Sequence, residues 1–389
     1  MTHQKKNFMP SILLKNVRYI GFGSHNIQDG MDLAIDTHGR VEKIDFNIPE
    51  TSYDGVFDLA HHFLSPGWID LHTHIYYGVS NLGIRPDIIG PSTGVSAIVD
   101  AGSAGEITFA GFREYIIKQH DFPIYAFINI GSIGLVWANQ ISELETLEKM
   151  DLDRLMDCIE QNRAYIKGVK LRASGVILQG WGDEVVKIGR RIAEEAELPL
   201  MVHVGEPLPL LEDILPLVQA GDIITHCYHG KRWGVLNRDG LIPEVKEAIQ
   251  RGVRFDVGHG AASFNFAVTE RALELGMRPF SISTDLHQYN VNGPVWDLPT
   301  TMAKMLSFGL SLEEIIRCVT QSPATVLGLD TFQKSLIGEK ACFTVFSLLD
   351  SPFTALDSNG NKRIITTRIK PEYTILGYNV IKARSRLPE

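Results

Sequence analysis

Short apolar runs alternate with amphipathic stretches through the middle of the chain. Eight runs have the length and composition of buried strands, at residues 68–74, 95–100, 123–130, 166–172, 199–203, 222–226, 253–257 and 280–285. Between several of them, apolar residues recur at three- and four-residue spacing, which predicts helices at 142–162, 182–197, 243–251 and 264–275. Eight strands alternating with helices predict an α/β fold, the (β/α)8 or TIM barrel.

The pattern changes at both ends of the chain, where alternating apolar and polar residues predict further strands. These strands are expected at 12–17, 31–35 and 41–44 before the barrel, and at 341–348, 363–369 and 373–376 after it. Helices at 298–308, 312–321 and 323–327 would close the barrel. We therefore expect residues 65–332 to form the barrel, and residues 1–64 and 333–389 to pair into one small β-sandwich domain.

Composition narrows the functional classes. Hydrophobic residues make up 44% and charged residues 21% of the 389 residues, and no apolar run reaches the length of a membrane span, so no membrane partner is expected. The net charge of -9 and the lack of a long basic run disfavour nucleic acid. Four cysteines without CxxC spacing argue against disulfides and thiolate zinc sites, and polar residues 1–10 show no signal peptide. These features predict a cytoplasmic enzyme, compatible with a homo-oligomer, that acts on a small molecule.

The first predicted strand ends in two histidines, His72 and His74, separated by one residue. Side chains alternate along a strand, so both imidazoles project from one face and can share a cation. The pair alone leaves two interpretations open, a metal site or two ordinary hydrogen-bonded histidines.

Other predicted strands carry metal-ligand residues at the same end. The fifth ends in His203, the sixth in His226 and the eighth in Asp285. The carboxyl ends of barrel strands meet at one mouth, where catalytic residues concentrate, so these side chains are expected to converge with the histidine pair. Their convergence favours a metal site over separate hydrogen-bonding or helix-capping roles.

The fourth predicted strand places Lys170 and Arg172 on the same face near its end. A lysine at the barrel mouth needs compensation for its buried charge. A salt bridge is one solution and the favoured one when this strand is considered alone. The other is chemical, because desolvation lowers the pKa of the amine, and a neutral amine can add carbon dioxide to become an anionic carbamate ligand. The neighbouring histidines and aspartate favour the second solution.

The combined pattern resembles the amidohydrolase superfamily, which has a histidine pair on strand one, a carboxylated lysine on strand four, histidines on strands five and six, and aspartate on strand eight. In this sequence those positions are His72, His74, Lys170, His203, His226 and Asp285. The resemblance implies two divalent metal ions, zinc being the expected element, bridged by carboxylated Lys170. One metal would be held by His72, His74 and Asp285, and the other by His203 and His226.

The segments 100–105, 258–260, 283–287 and 297–302 resemble a bacterial deacetylase-like branch of this superfamily, often labelled dihydroorotase-like. That resemblance implies hydrolysis of an N-acyl or O-acyl group on a small carboxylic acid. A metal-bridged hydroxide would be the nucleophile, and Asp285 would be the catalytic proton shuttle.

Contacts to the acylated substrate are expected from Arg172, His287 and Asn129. Arg172 could clamp a carboxylate, or it could pair with a barrel acid such as Asp100. Asn129 could bind the substrate or the lysine carbamate, or it could serve as a structural cap. The loop after the sixth strand holds three polar residues for which a solvated charge cluster is expected: His229, Lys231 and Arg232.

Three other functions stay open. A cyclic amidohydrolase such as dihydroorotase shares all six ligand types, and assays of dihydroorotate against acetylated acids would separate it from a deacetylase. A deaminase is suggested by the HxxE pattern of His203 and Glu206, although related deaminases carry one metal and no bridging lysine. A non-catalytic scaffold is disfavoured because no ligand is missing.

Overall fold

The computed structural model describes residues 10–21, 27–144, 146–178, 180–329 and 336–388. Residues 1–9 and the predicted boundary between residues 332 and 333 lie outside these ranges. The strands, in chain order, are β1 Ile12–Tyr19, β2 Met31–Ile35, β3 Val41–Asp45, β4 Gly55–Asp58, β5 Phe63–Pro66, β6 Trp68–Thr73, β7 Val95–Ala101, β8 Ile124–Asn129, β9 Ile166–Ala173, β10 Leu200–Val204, β11 Ile223–Thr225, β12 Leu236–Asn237, β13 Gly240–Leu241, β14 Arg254–Asp256, β15 Cys342–Leu356, β16 Lys362–Leu376 and β17 Asn379–Lys382.

The helices lie mainly between the strands of the barrel and after them. In chain order they are α1 Pro86–Ile89, α2 Phe109–Tyr115, α3 Leu152–Gln161, α4 Gly175–Leu178, α5 Glu184–Glu195, α6 Leu211–Ile214, α7 Pro243–Arg251, α8 Phe266–Glu274, α9 Leu298–Leu306, α10 Leu312–Val319 and α11 Gln321–Val326. None of the helices in the described ranges combines the length and apolarity that crossing a bilayer requires.

The two ends of the chain build one sheet. Its hydrogen-bonded order is β17-β16-β15-β5-β1-β2-β3, with β4 pairing β1. The junction between the two ends is the antiparallel pair of β5 and β15, in which Leu64 faces Val345. The predicted association of the two termini in one β unit is confirmed.

The barrel sheet runs in the order β14-β11-β10-β9-β8-β7-β6, and all its pairs are parallel. The strand register places the predicted site residues at the same height along the barrel, because His203 pairs with both Arg172 and Thr225. Parallel strands in one curled sheet end at the same edge, so their C-terminal residues gather at one mouth. The predicted α/β barrel architecture is confirmed.

The eighth predicted strand is not a regular strand. It closes the ring through two isolated parallel bridges, Ser281 with Asp256 and Leu286 with Thr73. Asp285 has a φ of 51°, in the left-handed region, which interrupts an extended backbone. The segment therefore joins β14 to β6 without a continuous ladder, and the prediction of a strand over 280–285 was wrong in this detail.

The helix predicted over 142–162 is also shorter than expected. It begins at Leu152, where Asp151 caps it by accepting a hydrogen bond from the Arg154 N–H at 3.0 Å. Glu143, near the start of the predicted range, lies instead at the barrel mouth, where its carboxylate is fully buried in an ion pair with Arg172. A buried tertiary contact has overridden the helical periodicity of this segment.

An aromatic cluster joins the terminal sheet to the barrel. The ring of Phe346 on β15 stacks on Phe63 at 5.3 Å and lies 5.3 Å from the indole of Trp68, the first residue of β6. Phe346 and Trp68 are both fully buried. The cluster fixes the start of the strand that carries the histidine pair.

We predict that Phe346→Ala lowers the free energy of unfolding by about 3–5 kcal/mol, because it removes a buried ring and leaves a cavity between the two sheets. Urea unfolding followed by tryptophan fluorescence measures the change. The control is Ile364→Ala on β16, where the side chain is 73% exposed, and it should change stability by less than about 0.5 kcal/mol. Equal effects of the two substitutions would contradict the packing argument.

Candidate metal centre

Three side chains from distant parts of the chain form the centre of the site. Ligand atoms of His72, His226 and Asp285 all lie within 4.8 Å of one another. His72 is on β6, while His226 directly follows β11 and Asp285 belongs to the segment that closes the ring. Imidazole nitrogens and a carboxylate oxygen at this spacing fit a divalent transition metal such as zinc.

The other three predicted ligands border this group. His74 Nε2 lies 3.0 Å from Asp285 Oδ1, and Lys170 Nζ lies 3.5 Å from His72 Nε2. The ring of His203 is 4.4 Å from the ring of His226, measured between centroids. All six predicted ligands therefore lie in one continuous cluster.

Hydrogen bonds determine which ring nitrogens are free to bind a metal. His226 Nδ1 lies 2.6 Å from the carbonyl oxygen of Gly258, which can only accept, so this nitrogen carries the proton. His72 Nδ1 lies 2.9 Å from Thr225 Oγ1, whose hydroxyl donates to Asp256 at 2.7 Å, so His72 Nδ1 is also the protonated nitrogen. In both rings the Nε2 lone pair is left for the metal.

Two of these contacts come from unusual backbone. His226 has a φ of 71°, which turns the chain directly after β11 and points its ring at Gly258. Gly258 has a φ of 47°, and a Cβ there would lie 2.3 Å from Thr225 Oγ1. A glycine is needed at this position because any side chain would collide with the hydroxyl that orients His72.

Burial favours the neutral form of three of the ligand histidines. Desolvation lowers the pKa of His226 to about 3 and holds the pKa values of His72 and His203 well below their ordinary range. Burial alone would raise the pKa of Asp285, but its hydrogen bond with His74 lowers it below the ordinary range. Neutral imidazoles beside an ionised carboxylate are the protonation states that metal binding requires.

Lys170 is fully buried beside these ligands. Desolvation lowers the pKa of its amine to about 7, so a substantial fraction is neutral near physiological pH. Within the described part of the chain, no carboxylate lies within 4.0 Å of Lys170 Nζ. No described carboxylate therefore forms the salt bridge that the strand pattern first suggested for Lys170.

The cluster opens into a cleft of about 550 Å³. Of the three predicted substrate contacts, Arg172 and His287 line the cleft, together with His74, His203 and Asp285. Asn129 does not, because it is fully buried and bonded to the backbone. It donates to the Gly102 carbonyl at 3.0 Å and accepts from the Gly131 N–H at 2.8 Å, the structural role that was its alternative.

Arg172 has a partner that the sequence pattern did not indicate. Its Nε and Nη2 donate to the two oxygens of Glu143 at 2.6 and 2.8 Å. Asp100 was the acid suggested for this role, but it accepts instead from the backbone N–H groups of Ile75 and Ser103. Glu143 lies in a segment expected to be helical, and for that reason sequence reasoning missed it.

The charge cluster expected after the sixth strand is only partly solvated. His229 is 3% exposed and accepts a hydrogen bond from the Lys231 backbone N–H. The Lys231 ammonium lines the cleft and pairs with Glu206 at 2.7 Å. Of the three residues, Lys231 is therefore part of the cleft wall, and His229 is buried.

The chain is similar to several known proteins over nearly its whole length. The sequence model of the Amidohydrolase family matches residues 63–370. A deacetylase of Agrobacterium fabrum is 42% identical over 378 residues, covering 97% of this chain and 93% of that protein. A crystal structure described as a dihydroorotase is 42% identical with a TM-score of 0.90, covering 97% of this chain and 99% of that chain. A crystal structure described as an adenine deaminase is 34% identical with a TM-score of 0.86, covering 95% of this chain and 99% of that chain.

We predict that Thr225→Val weakens metal binding about 10- to 100-fold, because His72 loses the hydroxyl that fixes its Nδ1 proton. Competition with a chromophoric chelator measures the zinc dissociation constant. The control is Thr320→Val, which removes an equally buried hydroxyl whose acceptor, the Ile316 carbonyl, lies outside the cluster. A natively folded Thr225→Val protein with unchanged zinc affinity would refute the role of the hydroxyl.

Proposed function

Because the chain belongs to the amidohydrolase family, we propose that it is a metal-dependent deacetylase releasing an N-acyl or O-acyl group from a small carboxylic acid. The observation that carries the proposal is the convergence of His72, His226 and Asp285, the last of which lines the cleft. The acyl substrate is supported by the likeness to the deacetylase of Agrobacterium fabrum.

The cluster would hold two divalent metals, and zinc suits its imidazole and carboxylate donors. When bound, the metals would acidify a water molecule and polarise the acyl carbonyl. Lys170 would take part as a carbamate, because its buried amine is neutral in part and faces His72 Nε2. The carbamate would supply the anionic oxygens that the neutral histidines lack.

Asp285 would move the proton. Its low pKa keeps the carboxylate ionised before the reaction, so an oxygen is ready to accept a proton from the attacking water. The same oxygen would then return the proton to the leaving nitrogen or oxygen. Asp285 lines the cleft, which places it where both the water and the leaving group would lie.

The cleft residues would orient the acid. His287 and Arg172 border the space in which the substrate would sit. Asn129 would act indirectly, by donating a hydrogen bond to the Gly102 carbonyl. Gly102 is in close contact with Lys170, because a Cβ at Gly102 would lie only 2.6 Å from Lys170 Cγ. In this proposal Asn129 keeps the backbone packed against the lysine that becomes the carbamate.

A cyclic amidohydrolase such as dihydroorotase is the second candidate, favoured by the likeness to the crystal structure described under that name. A deaminase is less well supported. The glutamate that would protonate a ring nitrogen in such an enzyme is Glu206 here, and its ion pair with Lys231 lowers its pKa to about 2 even though burial alone would raise it. That deaminase role requires a carboxyl group that already carries a proton, and Glu206 is ionised throughout the physiological range. Asp285 differs because it would receive its proton from the attacking water during the reaction.

We predict that Asp285→Asn lowers kcat about 10²- to 10⁴-fold while most of the bound metal is retained, because an amide cannot take up the proton. Steady-state kinetics and elemental analysis of the same preparation measure both quantities. Asp87→Asn, a change at a solvent-exposed carboxylate paired with Arg85, is the control and should leave both unchanged. Full turnover by metal-loaded Asp285→Asn protein would remove Asp285 from this role.

We also predict that exhaustive chelation abolishes hydrolysis and that added zinc restores it, at two metal ions per chain. The assay panel contains N-acetyl amino acids, O-acetyl hydroxy acids, dihydroorotate and adenine. Turnover of the acetylated acids supports deacetylation, and turnover of dihydroorotate alone supports the cyclic amidohydrolase. Activity that survives complete metal removal contradicts both.

A further inference from the structure

Two cationic side chains line the cleft, and they differ in how far they are already neutralised. Arg172 is held by Glu143 in a bidentate pair in which the side chains are 8% and 0% exposed. Its third nitrogen donates to Asn139 Oδ1 at 3.2 Å. A substrate carboxylate would have to compete with a buried carboxylate for this guanidinium, and breaking a buried pair is costly.

Lys231 is the more accessible cation. Its Nζ lies 2.7 Å from Glu206 Oε1, and the two side chains are 23% and 39% exposed. An ammonium has three N–H donors, and of the described residues Glu206 is the one that pairs with it. The other oxygen of Glu206 accepts a hydrogen bond from Ser174 Oγ at 2.7 Å, which ties the carboxylate to the end of β9.

Gly205 places the ammonium next to the metal ligands. A Cβ at this position would lie 3.0 Å from Lys231 Nζ and 3.6 Å from His203 Nε2. The ammonium and the ligand nitrogen therefore face the same small space, which is open because residue 205 has no side chain. If the acyl group of a substrate lay at the ligand cluster, another group of the same substrate, only a few bonds from the acyl carbon, would contact Lys231.

We propose that Lys231, and not Arg172, binds the carboxylate of the substrate. Glu206, held by Ser174, is a positioning residue that fixes the ammonium at the cleft wall. This inference rests on the proposed function and narrows it to acylated acids in which a free carboxylate lies close to the scissile bond. The Lys231 ammonium is partly exposed, and among the described residues it has one charged partner. It can therefore add a charge-assisted hydrogen bond without giving up that partner.

The test compares two substrates that differ only in charge. From the panel of N-acetyl amino acids and O-acetyl hydroxy acids, the acid that wild-type protein turns over best is paired with its own primary carboxamide. We expect Lys231→Met to raise KM for the acid about 10- to 100-fold, with kcat and the KM for the carboxamide changed less than about threefold. Lys231→Arg should recover most of the loss, because it keeps the charge.

The matched control is Lys187→Met, which removes a surface lysine paired with Glu184 at the same distance of 2.7 Å. Its kinetic constants should equal those of wild type. The inference is overturned if Lys231→Met leaves KM for the acid unchanged, or if it affects the acid and the carboxamide equally.

Failure of the proposed function has a different signature. If metal-loaded wild-type protein hydrolyses no member of the panel, that function is wrong. Calorimetric binding of an N-acetyl amino acid and its carboxamide then tests Lys231 directly. A preference of wild type for the acid that is lost in Lys231→Met supports the assignment, and equal binding of the acid by both proteins refutes it.

Discussion

The candidate metal centre depends on Asp256, a buried carboxylate outside the ligand set. It accepts hydroxyl hydrogen bonds from Thr225 at 2.7 Å, Ser281 at 2.6 Å and Ser283 at 2.6 Å. These bonds connect β11, β14 and the irregular segment that closes the ring. Because the Thr225 hydrogen is committed to Asp256, the hydroxyl oxygen must accept from His72. Closure of the barrel and the choice of the free nitrogen of His72 are therefore consequences of the same interaction.

The terminal sheet supports the mouth from outside the barrel. The tip of the hairpin between β15 and β16 contacts the loop that follows β14. Ser358 Oγ donates to the Gly260 carbonyl at 2.9 Å, and Asp357 accepts from the Phe266 N–H at 3.1 Å. A Cβ at Gly260 would lie 2.5 Å from Asp285 Oδ2, so this loop is in close contact with the proposed proton shuttle. The terminal sheet is thus in contact with the loop that packs against Asp285, a link to the site that composition alone would not predict.

The sequence predicts those parts of the structure that follow from local periodicity. Alternation along one strand is enough to bring His72 and His74 to one face, and the common edge of parallel strands is enough to gather ligands from other strands. Contacts that site residues make with loop residues leave no periodic pattern in the sequence. Glu143 lies in a segment with helical spacing, but its ion pair with Arg172 holds it at the barrel mouth, and α3 begins only at Leu152. The Lys231 pair with Glu206 could not be predicted either, because both residues lie in irregular segments, which follow β10 and β11.

The contrast between two buried lysines explains why one of them is suited to chemistry. Burial lowers the pKa of both Lys170 and Lys304 to about 7. Lys304 Nζ nevertheless has three acceptors, one for each N–H, which favour its charged form. They are His259 Nε2 at 2.7 Å, the Pro294 carbonyl at 2.8 Å and the Leu356 carbonyl at 2.8 Å.

Lys170 has no comparable set within the described ranges, where its one hydrogen-bond contact is His72 Nε2 at 3.5 Å. An ammonium there would be poorly compensated, whereas a neutral amine or a carbamate would not carry a buried positive charge. A lowered pKa alone therefore does not distinguish a structural lysine from a reactive one. The number of acceptors around the nitrogen separates the two lysines: Lys304 holds the hairpin against the barrel, and Lys170 is the lysine for which the carbamate is proposed.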